Sequence, residues 1–184
     1  MSKGSPACLD FARHERKGFE PKPRSYRALR HAQGKRSRDT PRSLRLAGYA
    51  ALFGIPDADR DTILPGAFAA TLAARTEKLP LYWQHRPGQR IGWVETARED
   101  AKGLRVIATL DSGTRPGELL AAREVSGLSF GYRAADFRLT PRGRELAAVE
   151  LFEVSLVTHP LQHGARVHFV DPPRDGEVAA AGGG

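Results

Sequence analysis

The stretch Gly127-Leu128-Ser129-Phe130-Gly131-Tyr132 alternates strictly between large apolar side chains and almost nothing. Along a strand successive side chains point to opposite faces, so Leu128, Phe130 and Tyr132 share one face and Gly127, Ser129 and Gly131 the other. The first face can enter a core; the second carries a single hydroxyl. Glycine weakens a strand interior and marks a bulge or a close approach by another chain. The two glycines therefore leave room about the Ser129 oxygen for a substrate backbone. The competing reading is a Gly-rich edge strand with an incidental serine.

The rest of the chain bounds what this strand belongs to. Its 184 residues fit one domain with tails, since domains most often run about 100–150 residues. No apolar run approaches the roughly 18–20 residues that cross a bilayer, and the N-terminal Met-Ser-Lys-Gly-Ser-Pro has no apolar signal segment. A single cysteine, Cys8, excludes an internal disulfide framework or a cysteine-based zinc cluster. Cytoplasm is the simplest compartment, with no membrane partner and no cofactor or metal expected.

The net charge of +8 is unevenly held. Residues 1–45 carry 13 Lys/Arg against 4 Asp/Glu, and the other 139 residues carry 16 against 17. The basic character thus belongs to the N-terminal segment, and the part that folds is close to neutral. Residues 1–43, short of apolar periodicity, read as a disordered or loosely attached tail. Such a tail is a candidate binder of nucleic acid or of an acidic protein surface through counterion release, or simply a solubilising leader. Residues 44–170 read as the folded domain and 171–184 as a low-complexity C-terminal tail.

Along the domain, residues 44–53 predict a first strand, and residues 54–61, with Pro56, Asp57, Asp59 and Asp61, a solvated loop that lacks the later bidentate Glu of a calcium site. Pro65-Gly66-Ala67-Phe68 opens a helix of about ten residues with Phe68 and Leu72 inward. Residues 79–85 and 91–95 predict strands about a turn at 86–89, which puts His85 at a strand end, the best general-base candidate in the chain. A surface or structural histidine is the plainer alternative. Residues 103–110 predict a strand and 114–123 a short helix that feeds the Ser129 strand. In the strand over 145–158, alternation groups Val149, Leu151, Glu153, Ser155 and Val157 on one face. Glu153 is the lone carboxylate of an apolar strand centre, so it needs a partner, a histidine or one of the many arginines. Ala165 to Val170 predicts the last strand.

No phosphate-binding loop, dinucleotide fingerprint or H-E-x-x-H is present. Gly127-Leu128-Ser129-Phe130-Gly131 has the G-x-S-x-G spacing, but no strand-turn-helix follows it, which argues against an α/β-hydrolase.

Over about residues 46–169 the chain resembles the caudovirus prohead serine proteases. The resemblance rests on ordered blocks: Gly48-Tyr49-Ala50 with Phe53-Gly54, Ile63 to Phe68, Leu81 to His85, Ile91-Gly92, Gly127 to Tyr132, and Glu150 to Thr158 with Pro160. It implies an α+β fold, mostly an antiparallel β-barrel with a few surrounding helices, like the herpesvirus maturation proteases. It implies a serine endopeptidase with Ser129 as nucleophile, His85 as base and Glu153 as third member. A second histidine stands at that third place in the herpesvirus enzymes, and His159 is the rival here. Backbone N–H groups of the loop from Leu161 to Arg166 are the place to look for oxyanion donors. The implied partners are the major capsid protein with its scaffolding segment, other internal proteins and the chain's own tail. The implied setting is the assembling procapsid of a phage, a prophage or a gene transfer agent, in the host cytoplasm. A homo-oligomer stays open, and nucleic acid enters only through the basic tail. The alternative is a non-catalytic capsid-assembly or scaffold module that keeps the fold.

Overall fold

The structure, a computed structural model, describes residues 43–171. The tails expected at 1–43 and 171–184 lie outside these residues, except that Ser43 begins the first strand and Asp171 ends the last. In chain order the elements are β1 (Ser43–Leu52), β2 (Asp61–Ile63), α1 (Ala69–Ala73), β3 (Leu79–Trp83), β4 (Arg90–Glu99), β5 (Gly103–Asp111), α2 (Arg115–Ala121), β6 (Gly127–Thr140), β7 (Gly143–Val157) and β8 (Val167–Asp171). No helix among the described residues is long and apolar enough to cross a membrane.

The longest strands, β6 and β7, form one antiparallel hairpin turning at Pro141 and Arg142. The other edge of β7 is shared: β2 runs parallel to residues 144–146 and β3 parallel to residues 154–156. From β3 the sheet continues through β4, β5, β1 and β8, every pairing antiparallel. It then curls back on β6, where Leu128 N donates to Ala165 O at 2.9 Å and Val167 N to Ser126 O at 2.7 Å. The result is a mostly-β curled half-barrel with two short helices. The sheet is mostly antiparallel, as expected, but mixed, since two pairings on β7 are parallel. Each follows a connection that leaves the sheet through a loop or helix, as parallel neighbours require.

Leu81 and Val154 are paired across β3 and β7, and Val154 and Phe130 across β7 and β6. Leu81, Leu128, Val154 and Leu156 are all fully buried. Each such side chain contributes about 1.5–3 kcal/mol relative to exposure, so this layer fixes the register. A slip by one residue would turn the polar face of β6 inward and Leu128 outward. Phe68 is buried beneath Phe130, rings edge-on with centroids 5.2 Å apart, and Phe130 stacks on Tyr132 at 5.0 Å.

Two local expectations are corrected. The helix expected from Pro65 is only α1, since Gly66 holds φ +91° and residues 65–68 spend themselves on turns. The aspartate loop is not simply solvated. Asp61 is buried, accepts from Tyr132 Oη and Arg144 Nε at 2.7 Å each, and pairs with the Arg144 guanidinium. Asp57 Oδ1 accepts from the backbone N–H groups of Asp59 and Asp61, both at 2.9 Å, an Asx turn. The helix feeding β6 is α2, where Pro116 stands in the first turn and Thr114 Oγ1 caps Gly117 N at 3.3 Å.

Candidate active site

Three neighbouring strands deliver the residues singled out from the sequence. Strand β7 lies between β6 and β3. Ser129 on β6 stands directly opposite Ser155 on β7, which stands opposite Tyr82 on β3. Residues opposite one another share a face, so Ser129 and Ser155 are on the face away from the core layer of Phe130, Val154 and Leu81. Two pairs further along the hairpin, Gly131 stands opposite Glu153.

Glu153 reaches this face because of a bulge. Gly131 pairs with Glu153 but Tyr132 with Leu151, so Phe152 is an extra residue in β7. The bulge reverses the alternation. Leu151 goes to the core, Phe152 is exposed and Glu153 turns to the side of Ser129. The expected grouping of Val149 and Leu151 with Glu153 is therefore wrong. Counting alternation straight through the strand misses an inserted residue.

His85 lies just past β3, and its backbone is unusual. Gln84 and His85 hold φ +53° and +55°, a left-handed conformation that costs non-glycine residues about 1–3 kcal/mol each. Four bonds hold it. Gln84 N donates to Leu156 O at 3.1 Å, Gln84 Nε2 donates to Thr158 Oγ1 at 3.2 Å, and His85 N donates to Ser155 Oγ at 3.1 Å. The fourth joins His85 Nδ1 to Glu153 Oε1 at 2.6 Å.

The carboxylate is buried and both its oxygens are engaged, Oε1 by the imidazole and Oε2 by the Ser155 hydroxyl, which donates at 2.6 Å. With Nδ1 committed to Glu153, Nε2 is left as the ring nitrogen for other work. His85 and Glu153 are thus brought together. Ser129 is brought to the same face, partly exposed, and makes no hydrogen bond to His85. His159 is exposed past the end of β7 with Nδ1 on Thr158 Oγ1 at 2.9 Å, whereas His85 Nδ1 is held by Glu153.

The glycines serve a different purpose from the one expected. A Cβ on Gly131 would lie 2.6 Å from Glu153 Oε1. A Cβ on Gly127 would lie 2.5 Å from Val157 O and 2.8 Å from Pro160 Cδ. The places that side chains on Gly131 and Gly127 would occupy are taken by the protein's own carboxylate and its own loop. Sequence reading also missed Ser155, whose hydroxyl touches both halves of the pair. Its place on the face of Glu153, two residues on, was the available signal. In the loop from Leu161, Ala165 N is spent on Gln162 O at 2.8 Å, and the buried Gln162 holds the backbone of Leu52 and Ile55. Among the described residues no group of three His, Cys, Asp or Glu side chains is placed to hold a metal ion.

Comparison with known proteins adds the family. Residues 32–174 match the family model of the caudovirus prohead serine protease. The prohead protease of Enterobacteria phage HK97 is 35% identical over 128 residues, covering 65% of this chain and 57% of that protein. The capsid polyprotein of Pseudomonas phage PAJU2 is 30% identical over 127 residues, covering 62% of this chain and 18% of that protein. The chain therefore spans less than two thirds of these relatives. Among solved structures, KSHV protease bound to a hexapeptide phosphonate inhibitor is similar at TM-score 0.48 and 16% identity, over 70% of this chain and 65% of that one. Varicella-zoster virus protease is similar at TM-score 0.47 and 19% identity, over 70% and 64%. With more than half of its length matched by the family model, the chain belongs to the caudovirus prohead serine protease family.

Proposed function

We propose that this chain is a serine endopeptidase of capsid maturation, with Ser129 as nucleophile, His85 as general base and Glu153 as the carboxylate that orients the base. The observation that carries the reading is the 2.6 Å contact of His85 Nδ1 with a buried Glu153, on the strand directly paired with that of Ser129. A serine hydroxyl is a weak nucleophile until a base accepts its proton. With Nδ1–H donating to Glu153, Nε2 is the acceptor for the Ser129 proton.

Attack of Oγ on a scissile carbonyl then gives a tetrahedral oxyanion, with the proton on Nε2. Glu153 stabilises the imidazolium without taking that proton. Return of the proton to the amine lets the C–N bond break and leaves an acyl-enzyme, which water hydrolyses by the same exchange. Backbone donors to the oxyanion each lower the barrier by about 3–4 kcal/mol. The loop from Leu161 to Arg166, bonded to β6 at Leu128, is their proposed source. Kinship with a prohead protease and a capsid polyprotein supports the scaffolding segment of the major capsid protein as substrate. Other internal proteins and the chain's own tail are further substrates, within the procapsid in the host cytoplasm.

Co-expression with the cognate major capsid protein tests the reading. The wild-type chain is expected to give a shortened capsid band and Ser129→Ala the full-length band. Identical patterns would overturn the enzyme reading and leave an assembly module.

A further inference from the structure

We propose that Ser155 is a positioning residue of this site, fixing the imidazole and the carboxylate together through one hydroxyl; the inference rests on the reading of Ser129, His85 and Glu153 above. Its oxygen accepts from His85 N at 3.1 Å and donates to Glu153 Oε2 at 2.6 Å. The residue is wholly buried, at 0% exposure, so water cannot replace these bonds. A buried hydroxyl with both roles filled is rigid, because each bond fixes the direction of the other.

The geometry gives the hydroxyl two tasks. The first is on the backbone. His85 is held at φ +55°, and its amide bond to Ser155 helps to keep that conformation against relaxation to an ordinary one. The second is on the carboxylate. Glu153 has rotational freedom about its terminal bond, and anchoring Oε2 turns Oε1 toward Nδ1. Ser155 also stands opposite Ser129 in the β6–β7 register. The same residue therefore links the proposed nucleophile's strand to the base. No contact with a substrate is required of it.

A fluorophosphonate probe tests this without knowledge of the cleavage site. Ser129 Oγ attacks phosphorus, the P–O bond forms, the P–F bond breaks, fluoride leaves and the serine proton passes to the base. In Ser155→Ala the maximal labelling rate is expected to fall about ten- to hundredfold, with the probe concentration for half-maximal rate changed less than about twofold. Ser155→Thr, which keeps the oxygen, is expected to recover most of the rate. By NMR, the far-downfield proton of His85 Nδ1–H is expected in the wild type and lost or broadened in Ser155→Ala. If Ser155→Ala does not fold, Ser155→Cys keeps the volume with a weak donor and is expected to show the same losses.

Wild-type labelling rate and an unchanged downfield proton in the folded variant would overturn the proposal. Failure of the wild type to label Ser129 would instead overturn the protease reading, and the NMR comparison would still decide whether Ser155 holds the pair.

Discussion

Gly131 faces Glu153 across the β6–β7 ladder so closely that a methyl group on it would lie 2.6 Å from Oε1 and 3.0 Å from Cγ. The carboxylate cannot swing aside without breaking its bonds to His85 and Ser155. Alanine in a strand is ordinarily favoured over glycine by about 0.5–1 kcal/mol, which offsets part of the displacement. Gly131→Ala is thus expected to cost about 1–3 kcal/mol of stability and to slow fluorophosphonate labelling of Ser129 by about a hundredfold. Thermal melts and labelling rates on one sample check both halves.

The bulge at Phe152 makes a sharper demand. Phe152 is 46% exposed, so Phe152→Ala is expected to cost less than about 1 kcal/mol. Deleting residue 152 restores strict alternation and sends Glu153 to the core face or slips the C-terminal half of β7. The deletion is expected to unfold the domain or abolish labelling, as read by circular dichroism and the same probe. A folded, labelling deletion variant would contradict the role assigned to the bulge.

Away from the site, Asp61 depends on Arg144. The carboxylate is buried while the arginine side chain is about one-third exposed, 33%. Arg144→Ala leaves Asp61 with Tyr132 Oη and an uncompensated charge, a loss of about 3–5 kcal/mol. Urea titration at neutral pH measures it.

Asp57 gives a pH signature of the opposite sign to that of most carboxylates. Burial lifts its pKa above the ordinary 3.8, against the backbone hydrogen bond from Asp61. The folded chain therefore holds this proton more tightly than the unfolded chain does. Ionised Asp57 thus opposes folding, an effect fully present above the raised pKa and lost as pH falls from there to 3.8. Asp57→Asn keeps an oxygen for the Asp59 and Asp61 amides and is expected to raise Tm at pH 7. That advantage over wild type should shrink through the acid window and vanish below pH 3.8.

The parts of the site legible in the sequence were those that obey a period or a chemical need. Alternation over 127–132 assigned the faces of Leu128, Phe130 and Ser129, and the cost of burying a lone carboxylate called for a partner to Glu153, a histidine or an arginine. The hidden parts came from tertiary packing. Phe152 looks like any strand aromatic until the register with Tyr132 shows it to be an insertion. Gly131 looks like an opening until the carboxylate opposite fills it. The parallel pairings of β2 and β3 with β7 are long-range choices that no local pattern announces, and Asp61 seems solvated until Arg144 and Tyr132 arrive from the distant hairpin.

The contact between His85 and Ser155 spans 70 positions of the chain, and β7, on which both the carboxylate and that hydroxyl ride, is nearly the last strand to be made. A growing polypeptide that has not yet released residue 155 from the ribosome has an imidazole and a hydroxyl but nothing to align them. Whatever chemistry this surface performs is thereby withheld until translation of the domain is almost finished, a delay written into the order of the strands.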